Sequence, residues 1–250
     1  MNEVPQAKPE PVGLEKKSYF QRVVGMFTSP GETFKYLDEK PDLIPALSVP
    51  IIGTILVAVA STIIGIRSPQ FEESMSKMPE SMTNVMKYGA PIIGAIFGVI
   101  FVLIMLLIKT GIVHVIAPFL NGKASFKKLV CILGYSTAPG LIFGALSVLY
   151  IFLNPNDYIP FTGSLGMIFT KEKVGLFWYS FYTSIDLFSF WSLGLTIIGV
   201  AIIYKFSWKK AAVILLSLWL IGVGLGLGLV KVFEPFYNKS QQVQEEDNTE

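Results

Sequence analysis

GKASFKKLVCILGYSTAPGLIFGAL, residues 122–146, decides the fold of this chain. It holds a basic turn, a helix start, and a long apolar helix with a proline in its middle. Asn121 and Gly122 end the preceding apolar run as a C-terminal cap does, and Ser125 is placed to cap the next helix. Lys123, Lys127 and Lys128 crowd the turn, and basic residues beside apolar spans mark the cytoplasmic side of a membrane. Pro139 follows Lys128 by eleven residues, about 16 Å along a helix, near the centre of a roughly 30 Å hydrocarbon layer. A proline there cannot donate to the carbonyl of Tyr135, which therefore needs another partner. Gly134, Tyr135, Ser136, Thr137, Pro139 and Gly140 form the expected kink site, with a Ser136 or Thr137 hydroxyl compensating the carbonyl.

Working outward, the 250 residues are 52% hydrophobic and 15% charged, with a mean hydropathy of +0.57. Soluble domains carry about 25% charge, so this is a membrane composition. A net charge of +2 gives no case for nucleic acid. Cys131, the only cysteine, excludes an intramolecular disulfide, and with a single histidine no structural zinc site can form. No cofactor is implied.

Residues 1–17 are polar with three prolines and read as a disordered tail. Ser18 opens a short helix with Gln21 completing a capping box; Phe20, Val23, Val24 and Phe27 share one face. Ser29, Pro30 and Glu32 open a second. Too short to span, this amphipathic pair lies either on the membrane surface or packed under the bundle. Five spans follow in a membrane domain over residues 18–237: 44–66, one from residue 90, 129–153, 186–204 and 211–232. The segments between spans on the outer side include 154–185, whose Phe177, Trp178, Tyr179, Phe181 and Tyr182 suit an interfacial belt. Residues 238–250 read as an unstructured acidic tail.

The basic residues set the orientation. Lys8, Lys16, Lys17, Arg22, Lys35 and Lys40 precede the first span; Lys109, Lys123, Lys127 and Lys128 follow the second; Lys205, Lys209 and Lys210 follow the fourth. These thirteen, against seven on the other side, account for all 20 lysines and arginines and place the N-terminus in the cytoplasm and the C-terminus outside. The expected location is the plasma membrane.

Small residues recur at four-residue spacing: Gly94 and Gly98 in span two, Gly140 and Gly144 in span three, Gly222 and Gly226 overlapping Gly224 and Gly228 in span five. That interval lets helices approach closely, within the chain or between copies, and internal packing is the preferred reading. Asp186 and Lys109 are the candidate intramembrane polar residues. Asp186 is read first as a helix cap at the outer boundary, and Lys109 as snorkelling to the inner surface, with burial the alternative for each. A Ser136–His114 dyad would place its members about 10 Å apart in depth, beyond hydrogen-bond reach, and no phosphate-cradling loop is present; catalysis is not expected.

The stretch at 122–146 resembles the central signature of the Yip membrane-protein family, a glycine-lysine turn followed by a GY-x3-P helix. GMFTSPGETFKYL before the first span and DLFSFWSLGLTIIGVAIIYKFSWKKA after the third agree with it, in order and spacing, over roughly residues 20–230. The resemblance implies five spans and a cytoplasmic N-terminus. Eukaryotic members bind Rab-type GTPases in vesicle traffic, and some bacterial members accompany ABC exporters; the abrupt turns and short tails look bacterial. The expectation is thus an all-α bundle of five transmembrane helices with a short amphipathic pair in front. Its expected role is non-enzymatic, an accessory or assembly factor in the lipid bilayer whose partners are ABC exporter components or a second copy of the chain. The competing expectation is a small transporter or channel using the broken third helix, and a polar cavity there would favour it.

Overall fold

The computed structural model describes residues 16–76, 78–156, 161–169 and 171–247. Most of the expected N-terminal tail thus lies outside the described residues. Among them the chain is helical, with no strand beyond an isolated bridge between Ser164 and Asp186. The helices are α1 (Tyr19–Thr28), α2 (Pro30–Glu39), α3 (Leu43–Arg67), α4 (Pro69–Ser76), α5 (Glu80–Asn84), α6 (Ala90–Phe119), α7 (Phe126–Ser136), α8 (Pro139–Leu153), α9 (Lys171–Ser184), α10 (Leu187–Tyr204) and α11 (Trp208–Asp247). Among the described residues five segments are long and apolar enough to cross a membrane, with α7 and α8 together forming one of them.

The bundle is built around α7. Every residue from Leu129 to Ser136 is buried, whereas α6 and α11 face outward over most of their length. Small residues set the register of α7 and α8 against α3, which runs parallel to them. Gly53 lies against the backbone of Gly140, and Gly144 against Leu56 and the carbonyl of Gly53. Gly98 of α6 meets Thr54 of α3. Gly98 and Gly144 therefore serve internal packing, as expected. Around Gly94, Gly222, Gly224, Gly226 and Gly228, by contrast, the chain leaves open space. Of these, Gly222 and Gly226 line a groove facing the segment before α10, and Gly224 and Gly228 lie outside it.

The turns at one end of the bundle are closed by matching backbone motifs. Asn121 is left-handed (φ 61°), with Gly122 N–H donating to Ala117 and Asn121 N–H to Pro118. Lys205 (φ 56°) repeats this, with Phe206 N–H donating to Ala201 and Lys205 N–H to Ile202. Both are Schellman endings, which satisfy carbonyls a helix terminus leaves unpaired. Lys123, Lys127, Lys128, Lys209 and Lys210 gather here, and this is the basic end.

α1 and α2 do not spread over a surface. Met26, Thr33, Phe34, Tyr36 and Leu37 are buried against α7 and α10, and Phe34 is fully enclosed. Ser18 and Gln21 form the expected capping box, while the Ser29 side chain makes no capping bond. Arg22, itself buried, donates to Asp42 Oδ2 (3.2 Å) and to the Ser18 carbonyl (3.3 Å), and its guanidinium lies over the Tyr135 ring. Lys128 Nζ meets Asp38 Oδ1 at 2.7 Å. Of the two placements open from the sequence, the pair takes the one within the bundle.

Two boundaries differ from expectation. α11 continues as helix to Asp247, through the tail expected to be unstructured from residue 238. The segment expected as an outer loop contains α9, which lies along the second half of α11: Lys171 sits over the Tyr237 ring, and Ser180 and Ser184 face Gly222 and Gly226 across a groove. Gly175 makes a joint in α9 at φ 78°, a left-handed conformation that glycine adopts without strain.

Candidate functional site

The third span breaks where the sequence places the break, but by a different local route. α7 ends at Ser136 and Pro139 is the first residue of α8, where its missing N–H has no helical partner to lose. The Tyr135 carbonyl is not left to a side chain: it accepts from Ala138 N–H at 3.0 Å. Thr137 N–H and Thr137 Oγ1 both donate to the Gly134 carbonyl, while Ser136 Oγ donates to Ile132 at 2.7 Å. The turn tightens from four-residue to three-residue bonding and supplies the missing donor from the backbone itself. The expected hydroxyl compensation of Tyr135 is thereby corrected.

This has a consequence for Pro139→Ala. With the Tyr135 carbonyl already paired, the variant restores no missing bond, so abundance should be normal and the stability change within about 1 kcal/mol. Thermal unfolding of the two purified proteins checks this; a loss of several kcal/mol would mean the proline holds the bundle together.

A second break faces the first. Ile185 and Asp186 separate α9 from α10, and Asp186 caps α10 by accepting from Ser189 N–H at 2.7 Å. The side chain thus serves as the cap of α10, directly before the apolar segment Leu187–Tyr204. Phe190 packs on Trp219 with ring centroids 5.0 Å apart. Trp219 lies eight residues into the uncharged run 211–230 of α11, so Asp186, one turn beyond Phe190, stands level with the middle of that run. α9 lies beside α11 on the far side of this break.

Between the breaks lies a groove of about 610 Å³. Lys109, Thr137, Gly140, Asp186, Ser189, Ser192 and Trp219 line it, with Thr162, Gly163, Ser164 and Thr183 from the segment before α10. Lys109 does not reach the basic end. α6 runs ten residues past it to Phe119, and a helical side chain leans toward its helix's N-terminus, here away from that end. Lys109 is exposed and lines the groove. No ion pair joins Lys109 to Asp186 or to any other described carboxylate. The second Asp186 oxygen lies beside Gly163, where a β-carbon would approach within 2.8 Å.

The six kink residues therefore divide. Thr137 and Gly140 line the groove; Gly134, Tyr135, Ser136 and Pro139 are buried, and the Tyr135 hydroxyl has no hydrogen-bond partner. Ser136 and His114 do not meet, since His114 Nδ1 is 3.1 Å from the Tyr204 hydroxyl. The groove hydroxyls on α10 were missed, although Asp186, Ser189 and Ser192 recur every three residues and so share a helix face. Chemically, the groove offers a cation, a carboxylate and hydroxyls within an apolar layer, where broken helices also expose backbone groups.

The family model described as Yip1 domain matches residues 24–230. No curated protein and no solved structure matches the chain.

Proposed function

Because the chain belongs to the Yip1 domain family and is a multi-pass helical membrane protein, we propose that it acts without catalysis, by binding a small polar solute in the groove and carrying it across the bilayer. One observation carries the reading: two helices break opposite each other onto a groove that holds Lys109 and Asp186. An ammonium in hydrocarbon costs about 3 kcal/mol, so its placement beside hydroxyls on a groove points to water or solute there. Discontinuous helices near the bilayer midplane form binding sites in this way in secondary transporters.

The second reading is assembly, beside an ABC exporter or with another copy of the chain. It is favoured by the open space along Gly224 and Gly228 in α11, outside the groove shared with α9, which leaves room for a helix from a neighbouring chain.

Cysteine accessibility tests the first. In a Cys131→Ala background, Thr137→Cys and Ser189→Cys should react with a charged methanethiosulfonate, which needs water to reach the thiol. Ile100→Cys, outward-facing on α6, should stay inert. If Thr137→Cys is as inert as Ile100→Cys from both sides, the groove is dry and the reading fails. The same set reports orientation, for which we propose a plasma-membrane protein with its basic end in the cytoplasm. Ser74→Cys on α4 should label from outside and Lys123→Cys should not. Gly163 is unsuitable for this purpose, since a side chain there would strike Phe188.

A further inference from the structure

At the basic end, away from the groove, a second cavity of about 840 Å³ opens between the α6–α7 turn and the end of α10. We propose that it binds a phosphate-bearing anion. His114, Asn121 and Lys123 line it, and no lining residue is acidic. Its wall is fixed from behind. The Gly122 backbone is pressed so close to the stacked Tyr204 and Phe206 rings that a β-carbon would come within 2.5 Å of Phe206. His114 is held on two sides, by the Tyr204 hydroxyl at Nδ1 (3.1 Å) and by an edge-to-face contact with Phe126. With Nδ1 engaged by that hydroxyl, Nε2 is the ring nitrogen left for a ligand.

The electrostatics run one way. α7 begins at Phe126, two residues after the cavity residue Ala124 and with Ser125 as its cap, so the positive end of its backbone dipole is beside the cavity. The opposing negative end, at the close of α6, is neutralised: Lys210 Nζ donates to the Leu120 carbonyl at 2.6 Å. An anion entering here meets an ammonium, an amide and an imidazole, with no fixed negative group against it. Basic pockets between spans at the cytoplasmic surface suit phospholipid headgroups, and the same donors suit soluble phosphate.

His114 is the only histidine, so its ring signals in a histidine-labelled, tag-free sample are unambiguous. The full chain is titrated with inorganic phosphate at constant ionic strength in detergent. Separately, its spectra are compared in nanodiscs of phosphatidylcholine with increasing phosphatidylglycerol. A saturable shift is expected in at least one arm. Lys123→Gln should raise the half-saturation point about tenfold, as loss of one hydrogen bond between charged partners implies. Lys209→Gln, whose ammonium lies over Trp208 outside the cavity, should leave it unchanged. A shift in the lipid arm alone identifies a headgroup site, and one in the phosphate arm shows that soluble phosphate suffices. No saturable shift in either arm, or equal weakening by Lys123→Gln and Lys209→Gln, overturns the proposal.

Discussion

Gly134→Val should remove most of the folded protein from the membrane. A β-carbon at Gly134 would lie 2.6 Å from the Ala46 carbonyl oxygen and 2.9 Å from its carbon. The obstacle is backbone, so no rotamer change relieves it; α3 and α7 must separate. Overpacking of this kind costs about 1–3 kcal/mol for small additions, and the branched valine adds two more methyl groups. Gly134→Ala should therefore be recovered with a lowered unfolding temperature, and Gly134→Val should elute as aggregate or be degraded. Gly222→Val, with open space around it, is the matched control and should unfold like the wild type. Equal stability of Gly134→Val and wild type would show that α3 is not seated on α7 as described. Gly224→Val informs the assembly reading, since a bulky residue there, outside the groove shared with α9, should weaken self-association without disturbing the monomer.

Much of this was legible because it is local. Ser18 with Gln21, Ser125, Asp186 and the Asn121–Gly122 ending are decided by neighbouring residues, and each behaves as its position implies. The break at Pro139 was legible for the same reason, since proline lacks the donor wherever it stands. What escaped depends on elements distant in the chain. Lys109 was placed at a surface because a charge interrupts an apolar run, yet α6 continues to Phe119 and carries the lysine to the groove. Asp186 was placed at an outer boundary because α10 is long enough to span alone. Nothing local says that α9, with its lysines and aromatic residues, packs beside the second half of α11. The groove exists only through that packing. A search for proline breaks passes over the break before α10, since neither Ile185 nor Asp186 is a proline.

Phe34→Ala should destabilise the bundle by about 3–5 kcal/mol, the usual range for emptying a buried phenylalanine site. The size of this effect decides what the amphipathic pair is. Were α2 resting on lipid, losing the ring would weaken only membrane contact and leave the spans intact. Instead Phe34 is fully buried, within 3.3 Å of where a β-carbon on Gly199 of α10 would stand, and Thr33 and Leu37 are enclosed with it. Removing the ring opens a void between α2, α7 and α10 that their small-residue contacts leave little freedom to close. Phe20→Ala supplies the contrast. Its ring on α1 is 73% exposed, so the change should stay within about 0.5 kcal/mol. Thermal unfolding of both variants in the same detergent reads the difference. If the two shift alike, α1 and α2 belong to the membrane surface. If only Phe34→Ala unfolds early, they are structural parts of the bundle, and the Arg22–Asp42 and Lys128–Asp38 pairs are the joints that hold them to it.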